Sequence, residues 1–283
     1  MHAPYYCTAS IWSAWTELLS RMTKTVVHLT YSLGFGGLEQ VIVNLVNCSQ
    51  GYDVKHVIIT LKDELDLVGS IKTDIDIYTL NKNDGNDISS HIRLFKLLRH
   101  IKPDVIQTYN FGTIEYHLTS KLAGIKKQIH SDHGRGGDPS NGQGQKQNCL
   151  RRICAKFIDY YIVVSPDLYE WGKDKLRLKA EQLKLIFNGV DINHYQPNSE
   201  LSKVGISNNS FHICTVGRAH PIKNQSLLIR AFSLASEMNT DFSNARLSII
   251  GDGPILEQLR AEISELGLND RVSLLGYRKD IPE

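Results

Sequence analysis

From residue 25 onward the chain alternates short runs rich in β-branched residues with longer amphipathic runs, and this alternation restricts the fold more than any other feature. TVVHLTY (25–31) reads as a buried strand, LEQVIVNLVNCSQ (38–50) as a helix closed by Gly51, and VKHVIITL (54–61) as a second strand. ISSHIRLFKLLRH (88–100) places Ile88, Ile92, Phe95 and Leu98 on one helical face; Pro103 punctuates it, and DVIQTY (104–109) is the next strand. KKQIHSDH (126–133), YYIVVS (160–165) and KLIFNG (184–189) continue the series, with helical stretches between them. Parallel neighbours need a crossover connection, so strands separated by helices predict an α/β fold built on a doubly wound parallel sheet.

The pattern then pauses and restarts. The polar stretch 197–210, ending in SNNS, reads as a linker. Beyond it FHICTVG (211–217), ARLSIIG (245–251) and RVSLLG (271–276) are strands, separated by the helices NQSLLIRAFSLASEM (224–238) and ILEQLRAEISELG (255–267). That is one βαβαβ half of a nucleotide-binding sheet, whose usual form has two halves. The expected organisation is therefore a leader or upstream extension at 1–21, a first Rossmann-like domain at 22–196, and an incomplete second domain at 211–283. In the leader, Ile11, Trp12, Trp15, Leu18 and Leu19 are spaced for one face of a short helix; a start at Met22 is the alternative.

Composition mainly excludes. Lys plus Arg number 32 against 30 Asp plus Glu, and this balance gives no reason to expect a nucleic-acid partner. Five cysteines without CxxC spacing suggest neither a disulfide framework nor a zinc ribbon, which fits a reducing cytoplasm. No stretch is long and apolar enough to span a bilayer. The basic pairs Lys126-Lys127 and Arg151-Arg152 are candidates for peripheral contact with the inner face of a membrane, with a solvated surface as the alternative.

Four stretches carry candidate chemistry. In SLGFGGLEQ, Gly34, Gly36 and Gly37 precede a helix, where backbone N–H groups and the helix dipole can receive a phosphate; a tight structural turn is an equal reading. In TVGRAHPIKNQ, Arg218 and Lys223 follow a strand at its carboxyl end, where two cations suit a pyrophosphate and a solubilising surface is the alternative. GDGP ends the next strand: Gly251 and Gly253 permit a close turn, and Asp252 is a candidate helix cap. HSDHGRGGDP (130–139) has the look of a metal site, but Gln128 stands where the HxHxDH pattern of metal hydrolases needs its first histidine. His130 and Asp132 share one strand face, so a structural histidine cluster and a substrate-facing His133 are the stronger readings.

Taken in order, GGLE, IFNGVDINHYQP, VGRAHPIKNQSLLIRAF and IIGDGPILEQL resemble the large retaining glycosyltransferase family of GT-B fold numbered four, over residues 24–283. IHSDHGRGGDP, LRR and YYIVVSPDLYEWG further resemble a subgroup associated with bacterial exopolysaccharide loci, although Ser131-Asp132 stands where Gly-Glu is common. The resemblance implies two Rossmann-like domains and a cytoplasmic transferase moving a hexose from a nucleotide-sugar donor to a glycan or lipid-linked acceptor, with retention and without a cofactor or metal. It implies that Arg218 and Lys223 hold the donor diphosphate and that Gly36 and Gly37 belong to the loop closing over it. It also implies that His133 contacts the transferred sugar and that Asn188, Gly189 and Asp191 form an interdomain junction. The resemblance places the family's ExxxxxxxE segment, which binds sugar and ribose, beyond a strand that this chain lacks, so the chain is expected to be C-terminally truncated. A non-catalytic remnant or sugar-nucleotide-binding protein is the rival reading, and a metal hydrolase a distant third.

Overall fold

The computed structural model describes residues 23–135, 143–192, 195, 212–238, 242, 244–278 and 280–281. The expected leader at 1–21 and linker at 197–210 lie outside them. The chain divides into two compact units, Met1–Asp191 and Ile192–Glu283.

Unit 1 contains β1 (Lys24–Thr30), α1 (Gly37–Cys48), β2 (Val54–Thr60), β3 (Asp76–Thr79), α2 (Ile88–Ile101), β4 (Val105–Tyr109), α3 (Tyr116–Leu122), β5 (Lys127–Asp132), α4 (Gln143–Cys154), β6 (Tyr160–Val163), α5 (Pro166–Asp174) and β7 (Leu183–Leu185). Among the described residues its strands form one sheet of order β3-β2-β1-β4-β5-β6-β7, parallel throughout. Strand order reverses between β1 and β4, so their outgoing loops diverge there and leave a crevice at the carboxyl edge, where open α/β sheets bind ligands. α1 covers one face, packing Ile42, Val43 and Val46 on Ile58 and Tyr109. α2 and α3 cover the other, setting Leu94, Leu98 and Tyr116 against Val27, Leu29, Ile59 and Ile106.

Local sequence fixes the helix ends. Asp87 caps α2 by accepting from the Ser89 and Ser90 N–H groups, and Lys102, in the left-handed region at φ 53°, closes it before Pro103. Ser165 caps α5 through the Leu168 N–H, with Pro166 in the first turn. The expected apolar face of α2 is only partly the core face. Leu98 is buried, but Ile88, Ile92 and Phe95 point outward, and the inner face is Ser90, Leu94 and Leu98 with Leu97 and Ile101 packed beside it. At 100° per residue Leu98 lies well off the line of the other three, and the sheet selects the Leu94 side.

Unit 2 contains β8 (His212–Val216), α6 (Gln225–Met238), β9 (Arg246–Ile250), α7 (Leu256–Glu265) and β10 (Val272–Gly276). Its strands run parallel in the order β10-β9-β8. Both helices join one apolar cluster: Ile229 and Phe232 of α6 and Leu259 and Ile263 of α7 pack on Leu247, Ile249 and Val272.

Candidate functional site

Each unit presents its candidate residues at the carboxyl edge of its sheet. In unit 1 the chain leaves β1 through Tyr31–Gly36, and Leu33 is buried with its N–H on the Glu64 carbonyl at 2.8 Å. Gly36 is the N-cap of α1 in extended conformation, with no side-chain cap. A Cβ there would collide with the Glu39 carboxylate, while Gly37 has open space around it. A Cβ on Gly34 would lie 3.3 Å from Glu64 Oε2 and 3.4 Å from Asp66 Oδ2. The glycine turn is thus ringed by carboxylates, and an anion reaching the α1 N-terminus must first displace the Glu39 side chain.

Across the crevice Asn110 follows β4 with φ 56° and ψ 174°, a region that strains residues other than glycine by about 1–3 kcal/mol. Two contacts hold it: its N–H donates to the Ser131 carbonyl at 2.8 Å, and its Oδ1 accepts from the His133 N–H at 2.8 Å. His133 therefore leaves the end of β5 in a fixed direction, its ring 6.3 Å from that of Tyr109. Burial, more than the opposing charge of Asp132, pulls the His133 imidazole down to about 4. It is neutral near pH 7 and can donate one hydrogen bond and accept another. Nothing in the sequence marked Asn110, since neither its backbone angles nor a contact 23 residues away leaves a local pattern.

The HSDH question has a structural answer. His130 and Asp132 share a face, as strand alternation requires, and both are fully buried. His130 Nδ1 lies 2.6 Å from Thr108 Oγ1, which also meets His117 Nε2 at 2.7 Å, and His117 Nδ1 lies 2.8 Å from Gln128 Oε1. Asp132 Oδ2 accepts from Arg151 Nε at 3.0 Å and from the Tyr161 hydroxyl. Burial acts to raise the Asp132 carboxyl, but His130, Arg151 and Tyr161 outweigh it and hold the group at about 2. Arg151 is itself fully buried between the Phe111 and Trp171 rings, 4.8 and 5.1 Å from their centroids, and donates to the Arg135 carbonyl at 2.9 Å. The sequence reading placed Arg151-Arg152 among surface groups for lipid; Arg151 instead ties the segment after β5 to the core. Arg152 donates to the Lys175 carbonyl, and Lys127 pairs with Asp159 at 3.6 Å. Among the described residues no group of three or more His, Cys, Asp or Glu is arranged to hold a metal.

In unit 2 the turn after β8 is stitched to the turn after β9. Gly217 N–H donates to the Ile250 carbonyl and Ala219 N–H to the Asp252 carbonyl, both at 2.9 Å. Gly251 (φ 134°) and Gly253 (φ 157°) are required here, because a Cβ on either would strike the Gly217 or Ala219 carbonyl. Arg218 is displayed from this braced turn, its carbonyl held by Gln225 Nε2 at 2.9 Å. Lys223 ends a short 3-10 turn, and its aliphatic stem passes over Gly217. Both cations are exposed, and neither forms an ion pair with a described residue. Asn188 and Gly189 are exposed in the irregular segment after β7, and Asp191 is the last residue of unit 1.

Comparison with known proteins bears on the family and the fold. Glycosyltransferase Family 4 matches residues 35–194, more than half of the chain, and Glycosyl transferases group 1 matches residues 197–283. The UDP-Gal:alpha-D-GlcNAc-diphosphoundecaprenol alpha-1,3-galactosyltransferase of Escherichia coli is 29% identical over 205 residues, which cover 69% of this chain and 53% of that protein. The putative glycosyltransferase EpsF of Bacillus subtilis is 20% identical over 92% of this chain and 70% of its own length. Among solved structures, Anabaena Alr3699/HepE in complex with UDP and glucose superposes with a TM-score of 0.72 at 19% identity, covering 93% of this chain and 71% of that one. WaaG, a glycosyltransferase involved in lipopolysaccharide biosynthesis, superposes with a TM-score of 0.63 at 14% identity over 91% and 71%. The chain spans about half the length of the first two curated relatives it matches. With the parallel-sheet α/β architecture of the GT-B fold in both units, the chain belongs to Glycosyltransferase Family 4.

Proposed function

We propose that the protein takes part in transfer of a hexose from a nucleoside-diphosphate sugar to a glycan or lipid-linked acceptor, with retention, in exopolysaccharide or cell-surface glycan synthesis. One observation carries the reading: Arg218 and Lys223 are exposed together on a turn braced by Gly251 and Gly253, with no ion-pair partner among the described residues. Cations held this way suit a diphosphate, and their charge would stabilise the nucleotide as it leaves, a role that needs no metal. Gly251 and Gly253 serve the donor by shaping that turn. Gly36 and Gly37 offer backbone N–H groups to phosphate once Glu39 swings away, and neutral His133 hydrogen-bonds the transferred sugar. Asn188, Gly189 and Asp191 form the junction between units. The E. coli relative, whose name specifies UDP-Gal and a diphosphoundecaprenol-linked sugar, favours this donor and acceptor class.

The test is calorimetric titration of UDP and GDP into the chain and into Arg218→Ala. Loss of a charge-assisted contact of about 1.5–3 kcal/mol weakens binding roughly ten- to a hundredfold. Equal affinities would refute the assignment. Tight binding with no turnover of any donor would favour the sugar-nucleotide-binding alternative.

A further inference from the structure

The outward face of α2 carries Ile88, Ile92 and Phe95 at helical spacing i, i+4, i+7, at 75%, 52% and 38% exposure. Beside it α3 exposes Leu118 and Leu122 at 48% and 70%. The helices are clamped together: His91 stacks on Tyr116 at 4.2 Å and meets Thr119 Oγ1 at 2.7 Å, and Ser90 Oγ meets the Tyr116 hydroxyl at 2.7 Å. Single exposed apolar residues are ordinary, but five on two adjoining helices, all turned from the core, form a patch of the kind that marks a docking site.

Charge identifies what docks. Neither helix contains an acidic residue, and both carry bases. Arg93 is held by Asp87 and the Leu80 carbonyl, but Lys96, Arg99 and Lys121 are exposed and form no ion pair with a described residue. Glu115, before α3, is occupied by His91 at 3.7 Å. An apolar stripe with a basic rim and no acid is the pattern of a surface lying in the headgroup region of an anionic bilayer, with apolar side chains entering the acyl boundary and bases meeting phosphate. A second copy fits less well, because a symmetric contact through this face would bring the bases of one copy toward those of the other with no acid on either helix to pair them. Nucleic acid would leave the stripe unused.

We infer that the outer face of α2 and α3 docks on an anionic lipid bilayer. A lipid-linked acceptor, as proposed above, would be met at such a surface, but vesicle binding is read without any transfer, so failure of either leaves the other standing.

The experiment is co-sedimentation of the 283-residue chain with phosphatidylcholine vesicles containing phosphatidylglycerol, and with phosphatidylcholine alone. Ile92→Gln/Leu122→Gln and Lys96→Glu/Arg99→Glu are compared with the parent, all changes lying at exposed positions. The expected result is binding to the anionic vesicles that weakens with salt and falls about tenfold or more in each variant. No binding by the parent, or unchanged binding by both variants, overturns the inference. So does a concentration-dependent dimer in sedimentation velocity that the apolar variant abolishes, which would assign the face to a second copy.

Discussion

The two units put the same secondary elements to different electrostatic use. In unit 1 the central strands β4 and β5 are buried almost throughout, and they carry polar side chains into that interior: Gln107 and Thr108 on one, Gln128, His130, Ser131 and Asp132 on the other. Each becomes affordable through a neighbour. His28 meets Tyr109 and His56 at 2.8 Å on the α1 face, while the Thr108–His130–Asp132–Arg151 series occupies the opposite face. Unit 2 does the reverse. Its edge strands β8 and β10 alternate, helices and strands share one apolar cluster, and its candidate cations stand outside on a braced turn. The lesson is that the histidine-rich, acid-containing motif which first suggests chemistry is mostly structural. The cations of the plainer VGRAHPIK turn are exposed and form no ion pair with a described residue.

The largest expected effect of that contrast is acid sensitivity confined to unit 1. His56 and His133 are held down to about 4 and His117 to about 3, in each case chiefly by burial, and His28 is lowered in the same way. Below about pH 6.5 the unfolded chain binds protons that these folded imidazoles refuse. Their contribution is therefore fully present above pH 6.5 and is lost as pH falls toward 4. At about 1.4 kcal/mol per pH unit for each, the three with stated values together cost unit 1 on the order of 6 kcal/mol by pH 5. In unit 2 the described histidines, His212 and His220, lie outside the apolar cluster. Hydrogen exchange at pH 7 and pH 5, corrected for intrinsic rates, should show protection collapsing in β1, β4 and β5 but not in β9. Equal losses in both units would break the comparison.

Next in size is the buried ion pair. Asp132→Ala strands Arg151 in the core and should cost about 3–5 kcal/mol, whereas Asp132→Leu with Arg151→Met should recover much of it. Urea unfolding of unit 1 measures both. A loss below about 1 kcal/mol for the single change would mean that solvent reaches Arg151. Smaller again, Gly253→Ala in unit 2 meets a backbone carbonyl at φ 157° and should cost about 1–3 kcal/mol, read as faster exchange in β8 and β9 with β1 unaffected. The smallest stability effect belongs to Arg218→Ala and Lys223→Ala, each expected within about 0.5 kcal/mol of the parent by thermal unfolding. A larger loss from either would mean that the cation already serves the fold.

Much of this architecture was legible beforehand. The β-branched runs fell on nine strands to within a residue or two at most ends, and Gly251 and Gly253 were read as close-turn glycines. β3 escaped notice because DIYT is a short edge strand with alternating exposure rather than an apolar run. The α2 stripe was seen and its buried side misjudged, since periodicity shows that a helix has faces but the sheet decides which is used. Arg151 reads as a surface base in the sequence because its pairing with Asp132, 19 residues away, joins α4 to β5 in the fold and leaves no local pattern. Asn110 left no signal, for its role rests on backbone angles that asparagine only tolerates.

The central claim is that unit 2's exposed cations meet the ligand while the HSDH network of unit 1 is structural, and amide NMR during a UDP titration tests it most directly. The expected result is that perturbations concentrate at residues 217–225 and 251–253 while Gln128, His130, Asp132 and Arg151 stay in place. Perturbations centred on residues 128–132 and Arg151, with 217–225 unmoved, would contradict it.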